Sequence, residues 1–181
     1  MAKRLFDIVF SVLALLILAP FLLIAVILAA FDTASNGIFC QQRIGQYGKP
    51  FMIFKLRSMH TRTGNVSAMG NFFRKYKIDE WPQLLNVLLG CMTFVGPRPD
   101  IAGYYDLLQG EDRKVLALKP GITSMASLKY YNEEALLRQQ NNPLYYNDTV
   151  IFPDKVKMNL EYYHNHNLWI DLKILWKTFF R

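Results

Sequence analysis

From Ile8 to Phe31 the chain carries no charge and is almost entirely Leu, Ile, Val, Ala and Phe. As a straight helix this stretch measures about 36 Å, more than the roughly 30 Å hydrocarbon core of a bilayer. A secretory leader has a shorter apolar region, about 7–15 residues, followed by a small-residue cleavage site. The segment therefore reads as a membrane element. Pro20 sits near its middle. An internal proline removes one backbone donor and kinks a helix. Two topologies fit: a kinked spanning helix, and a re-entrant hairpin that enters and leaves the same leaflet. Lys3 and Arg4 before the segment, and Arg43 and Lys49 after it, favour cytoplasmic placement of both ends.

Beyond this segment the apolar runs are short and broken by turn residues. Asp32 to Gly37 is turn chemistry. Residues 38–42 predict a strand, 45–50 a turn, and 51–59 a second strand whose alternation puts Lys55 and Arg57 on one face. Residues 61–68 read as a polar loop and 69–77 as a short basic helix. Asp79 is a favoured N-cap and Pro82 is tolerated in a first turn, which predicts one helix from Asp79 to Leu89, stopped by Gly90. Gly96-Pro97-Arg98-Pro99 forms a rigid loop. A helix is expected over 104–118, ended by Lys119-Pro120-Gly121, and a shorter one over 133–140. Near the end, Leu168, Leu172, Leu175 and Phe179 recur at helical spacing beside Trp169, Trp176 and Phe180, with Lys173, Lys177 and Arg181 as a second stripe. That combination suits an interfacial amphipathic helix. No internal repeat or low-complexity tract interrupts the pattern. It predicts an α/β fold, mixed and helix-rich with a small sheet.

Composition narrows the class. At 52% hydrophobic and 19% charged residues the chain is neither disordered nor strongly polar, and 181 residues suit one compact domain. The formal net charge of +7 is unevenly placed. Between Thr33 and Ile78 there is no acid, while Arg43, Lys49, Lys55, Arg57, Arg62, Arg74, Lys75 and Lys77 all fall there. A segment of one sign calls for an anionic partner: phosphate groups, acidic lipid headgroups or nucleic acid. Cys40 and Cys91 are too few for a disulfide framework and read as buried free thiols. His60, His164 and His166 show no metal-ligand spacing.

The first acids after the basic segment are the adjacent Asp79 and Glu80. An acidic pair at a helix start ordinarily caps the helix and offsets its dipole. Here the same helix terminus also suits a bound phosphate, and Arg98 between two prolines can present a fork to phosphate oxygens. A carboxylate facing cations is expected to have a depressed pKa and to stay ionised, as a nucleophile forming an acyl phosphate requires. Its neighbouring acid can help hold Mg²⁺, which takes oxygen ligands.

Specific motifs then single out a family. Residues 78–87 (Ile-Asp-Glu-Trp-Pro-Gln-Leu-Leu-Asn-Val), followed by Met92-Thr93-Phe94-Val95-Gly96-Pro97-Arg98-Pro99, resemble the signature of the bacterial sugar transferases, the small monotopic polyprenol-phosphate phosphoglycosyl transferases. Gln42-Arg43-Ile44-Gly45, residues 54–59, Lys119-Pro120-Gly121-Ile122-Thr123 and Asp171-Leu172-Lys173-Ile174 match as well. The resemblance covers essentially the whole chain. It implies that Asp79 attacks the β-phosphate of a UDP-sugar, expels UMP and carries the phosphosugar. Undecaprenyl phosphate then accepts it, beginning assembly of a capsule, O-antigen, exopolysaccharide or glycoprotein glycan. Glu80 completes the catalytic dyad, and both acids are the implied ligands of Mg²⁺. Arg74 matches a phosphate-binding arginine, Lys55 and Arg98 match basic residues around the site, and Arg57, on the strand face with Lys55, is a further candidate for substrate binding. The resemblance also favours the hairpin, broken at Pro20, as residues 1–32, with residues 33–181 as a catalytic domain on the cytoplasmic face of the inner membrane. Membrane lipids are implied partners, nucleic acid is not, and a homodimer stays open.

Several positions depart from the family pattern. Ala19 precedes Pro20 where the family often has Ser, and Cys91 stands where Asp is usual. After Gly-Ile-Thr the chain reads Ser124-Met125-Ala126-Ser127-Leu128-Lys129-Tyr130-Tyr131 in place of a Gly-Trp-Ala-Gln-Val-Asn-Gly-Arg run, with Lys129 as the candidate replacement cation in the substrate site. Asn159 stands where some members carry an acid. Two other readings compete: a non-enzymatic membrane-anchored basic interaction module, and a lipid phosphatase or pyrophosphatase using the same acids.

Overall fold

A computed structural model describes residues 2–180. Its architecture is mixed and helix-rich, with two separate two-stranded sheets. The chain divides into two compact units, one containing the chain through Arg43 together with Pro50–Met92, the other Ile44–Lys49 and the chain from Thr93 onward.

In the first unit the apolar segment is one helix, α1 (Ala2–Thr33), and Pro20 lies inside it without dividing it in two. Two strands follow, β1 (Ile38–Ile44) and β2 (Pro50–Leu56), which pair with each other, then α2 (Ala68–Lys75) and α3 (Gln83–Leu89). The core of this unit joins Ala25 and Ala29 of α1 to Leu56 and Phe73. Small residues on α1 let the helix approach closely, while Leu16, Ile17, Phe21 and Leu23 on either side of Pro20 stay exposed. Side chains tie both ends of α1 into the unit. Arg4 donates to the carbonyls of Val87 (2.6 Å) and Leu88 (2.8 Å) in the last turn of α3, where its positive charge also meets the negative end of the helix dipole. At the other end, Thr33 O accepts from the backbone of Thr61 (3.1 Å) and Asp32 accepts from Ser67 (2.6 Å). Ser67 in turn caps α2 by accepting from Gly70 N at 2.9 Å.

The helix expected from Asp79 to Leu89 is shorter and starts differently. Residues Ile78–Glu80 form a 3-10 turn, entered through Lys77 in the left-handed region (φ 56°), and α3 begins only at Gln83. Pro82 explains the delay, since it has no N–H to close a turn beginning at Ile78. Gly90 does end the helix, at φ 87°.

In the second unit β3 (Thr93–Val95) and β4 (Gly121–Thr123) pair in parallel, with Thr93 opposite Gly121 and Val95 opposite Thr123. The helix expected over 104–118 is replaced by two 3-10 segments, Tyr105–Leu107 and Asp112–Ala117. Gly110 between them has φ 56°, a conformation that breaks a helix. Short helices α4 (Met125–Lys129), α5 (Glu133–Arg138) and α6 (Pro143–Tyr146) lead through a π-turn into α7 (Phe152–Asn165), which has no counterpart in the sequence reading. The terminal α8 (Leu168–Phe179) forms as expected. Its Ile174 is buried with Val95 and Tyr162, and Trp169, Leu172, Trp176, Phe179 and Phe180 are exposed.

Candidate active site

Asp79 and Glu80 occupy the 3-10 turn between α2 and α3, and β2 brings Lys55 to them. Lys55 Nζ lies 3.6 Å from a Glu80 carboxylate oxygen, with both side chains largely buried. Asn86 fixes this arrangement. Its side chain accepts from Phe54 N (3.0 Å) and donates to Met52 O (2.7 Å), so α3 is bonded along β2 on both sides of Ile53.

Arg74 reaches the site from α2, where its Nε donates to Ser58 Oγ at 2.8 Å. That approach depends on Gly70, because a Cβ there would stand 2.3 Å from Ser58 O. Lys77 contributes a further positive charge to Asp79, alongside Lys55 and Arg74. Arg57 is placed differently. Its guanidinium lies 5.4 Å from the Phe39 ring centroid, and its backbone N–H donates to Gly37 O at 2.8 Å.

The electrostatics of Asp79 correct the sequence reading. Its pKa is raised, not depressed: burial has the largest effect, the Glu80 charge adds to it, and Lys55, Lys77 and Arg74 oppose both. Desolvation disfavours the charged form, and here it outweighs three cations. The carboxylate is also incompletely bonded. Asp79 Oδ1 is buried and has no hydrogen-bond partner among the described residues. An orphaned carboxylate oxygen, beside a second carboxylate, fits a hard cation that takes oxygen ligands. No group of three or more His, Cys, Asp or Glu is clustered for a metal among the described residues. Asp79 and Glu80 would therefore supply only part of such a shell.

Arg98 and Lys129 belong to the second unit. Arg98 is exposed between the buried Pro97 and Pro99. The loop carrying it is anchored by Gly121 N donating to Pro97 O (2.8 Å) and Gly96 N donating to Thr123 O (3.0 Å). Lys129, at the end of α4, donates to Asp154 Oδ2 at 2.7 Å. The cysteines also differ from expectation: Cys40 and Cys91 are free but exposed, since their β1 and post-helix positions face outward.

Sequence reasoning gave no role to Ser58, Lys77 or Asn86. Ser58 and Asn86 lie inside the quoted motifs, and Lys77 belongs to the basic run just before Asp79. Their roles come from contacts between segments, which spacing does not display.

Comparison with known proteins gives this geometry its setting. The sequence model described as bacterial sugar transferase matches residues 1–181. A UDP-glucose:undecaprenyl-phosphate glucose-1-phosphate transferase of Klebsiella pneumoniae is 35% identical over 198 residues, covering 99% of this chain and 39% of that protein. A protein of the same name from Caulobacter vibrioides is 32% identical, covering 97% of this chain and 67% of that protein. A UDP-N-acetylgalactosamine-undecaprenyl-phosphate N-acetylgalactosaminephosphotransferase of Aeromonas hydrophila is 30% identical, covering 97% and 42%. The chain thus spans about two fifths of the Klebsiella and Aeromonas proteins. On the match along its whole length, the chain belongs to the bacterial sugar transferase family.

Proposed function

We propose that this protein transfers a phosphosugar from a UDP-sugar to undecaprenyl phosphate through a covalent intermediate on Asp79. The observation that carries the reading is the buried, unpartnered Asp79 Oδ1 set among Lys55, Arg74 and Lys77. In the first step a carboxylate oxygen of Asp79 attacks the β-phosphorus. The bond from that phosphorus to the bridging oxygen breaks, and UMP leaves with the electron pair. In the second step a phosphate oxygen of undecaprenyl phosphate attacks the same phosphorus. The acyl-phosphate bond breaks, the Asp79 carboxylate returns, and the product is an undecaprenyl diphosphosugar.

Above its raised pKa Asp79 is ionised and able to act as the nucleophile. Burial makes its anion poorly solvated and therefore more reactive, and diphosphate charge is met by the surrounding cations. Arg74, braced by Ser58, can hold one phosphate in fixed orientation. Lys55, held by Glu80, can hold another. Arg98 on its proline-flanked loop, Arg57 and Lys129 are the further candidates for substrate binding. Asp79 and Glu80 would hold Mg²⁺ together with substrate oxygens and water. Bound there, it would neutralise charge on the diphosphate.

The membrane reading has its own support. The long apolar α1 holds to one polar unit at both ends, through Arg4 and through Asp32 and Thr33. Its exposed stretch around Pro20 lies between them. A re-entrant helix with both ends on the cytoplasmic face satisfies these bonds. A spanning helix would put one set of them on the far side of the bilayer.

The test is UMP release from a panel of UDP-sugars, with undecaprenyl phosphate and Mg²⁺ in a membrane-like environment. Release abolished by Asp79→Asn, in protein that still folds, is the expected result. Inorganic phosphate appearing without UMP would favour a phosphatase, and activity that tracks net charge but ignores Asp79→Asn would favour a basic interaction module.

A further inference from the structure

A cavity of about 410 Å³ lies within the second unit, lined by Met125, Leu128 and Lys129 of α4, Met158 of α7 and Lys177 of α8. Three of its lining residues are apolar, and the other two are lysines. Lys177 has no ion pair or hydrogen bond among the described residues. Lys129 is half exposed and spends one donor on Asp154, which leaves two.

We propose that this groove binds the headgroup and glycerol region of an anionic glycerophospholipid, with the lipid phosphate between Lys129 and Lys177. Three observations fix the class of ligand. Met125, Leu128 and Met158 offer no hydrogen-bond donor, so a nucleotide or a free sugar would leave its polar groups unmet, whereas flexible thioethers conform to glycerol and acyl carbon. Lys177, without a counter-charge among the described residues, favours a negative charge, and Lys129, already paired with Asp154, can add its remaining donors. The α8 segment around Lys177 also shows the side chains of a bilayer boundary, with Trp176 65% and Phe179 80% exposed and the Trp176 and Phe180 rings 4.0 Å apart between centroids. A lipid in the groove continues that apolar face inward and meets the positive charge at its edge.

The inference rests on α8 lying at the membrane surface; it assigns Lys129 to the lipid in place of the sugar substrate and otherwise does not depend on phosphoryl transfer at Asp79. The experiment uses the full chain in neutral maltoside micelles, titrated with brominated phosphatidylglycerol, brominated phosphatidylcholine and inorganic phosphate while tryptophan quenching is read. Phosphatidylglycerol should quench at about fivefold lower mole fraction than phosphatidylcholine, from about one lysine's worth of attraction. Lys177→Gln should remove most of that preference, and Met158→Glu should abolish it. Melting curves on the same samples confirm that each variant folds, and Lys177→Gln alters only an exposed side chain. Equal quenching by the two lipids overturns the proposal, as does a preference that survives both substitutions. Displacement of phosphatidylglycerol by equimolar inorganic phosphate would also overturn it, by assigning the lysines to a free anion. UMP release measured in parallel keeps the two readings apart. Its absence with every donor would remove the transferase assignment and leave the lipid preference standing.

Discussion

Asp79 and Asp154 each face lysine, and their ionisation moves in opposite directions. Asp154, in the second unit, accepts from Lys129 at 2.7 Å and from the Tyr130 hydroxyl at 2.8 Å. Those two hydrogen bonds hold its pKa below the ordinary value, against a small opposing effect of burial. Tyr130, partly desolvated and bonded to that anion, is pushed up to about 12. Asp79 has more cations around it, yet its pKa is raised, because burial is greater and Glu80 is adjacent, and its Oδ1 has no donor among the described residues. The count of nearby positive charges therefore does not decide whether a carboxylate is stabilised. Directed hydrogen bonds and solvent decide it. An anion satisfied on the surface is inert, and one left unsatisfied in a cationic pocket has a reason to bind something.

The largest test of this contrast is Asp79→Asn. UMP release should fall below about one thousandth, while the melting temperature rises. The sign follows from linkage: with a folded pKa raised above the unfolded value, the native state binds more protons, so ionisation at Asp79 costs stability as pH climbs through that window. The gap in melting temperature between variant and wild type should be widest above the folded pKa and close as pH falls toward about 4, near the unfolded value. A variant less stable than wild type at neutral pH would break the comparison.

Next in size is Glu80→Gln, which removes the carboxylate 3.6 Å from the largely buried Lys55. Activity should drop about 10²-fold and stability by about 1–3 kcal/mol in urea unfolding, the opposite stability sign from its neighbour. Ser58→Ala sharpens the picture further, since it frees Arg74 without touching a charge. KM for the UDP-sugar should rise about fivefold to tenfold with kcat nearly unchanged, and Arg74→Ala in that background should raise it further, because the guanidinium charge is then lost as well. Smallest is Asp154→Asn, whose exposed ion pair should alter stability by less than about 1 kcal/mol. Because the folded pKa of Asp154 is lowered, its contribution is present above about pH 4 and disappears as pH falls through the folded value. Melting curves of variant and wild type should therefore converge in acid.

Much of the molecule was legible from residue order alone. An uncharged run from Ile8 to Phe31, an acid-free basic segment and the motif around Asp79 each rest on neighbouring residues, and hydrophobic periodicity and turn chemistry are local. The two strands of the first unit, the basic helix and the amphipathic α8 follow for the same reason. Over 104–118, where the sequence suggested a helix, Gly110 with its positive φ splits the stretch into two 3-10 segments. The polar stretch leading to α7 carried no clean apolar stripe, and that helix is held by burying Val156, Asn159 and Tyr162.

What the sequence by itself determined was therefore the long apolar segment, the placement of charge, and which side chains were candidates. Only tertiary structure decided which of them act on one another: that Arg4 caps α3, that Ser58 braces Arg74, that Lys55 meets Glu80, and that Lys129 is turned to Asp154. It also decided the sign of the Asp79 shift. Desolvation depends on every atom packed around a group, and those atoms come from segments far apart in the chain.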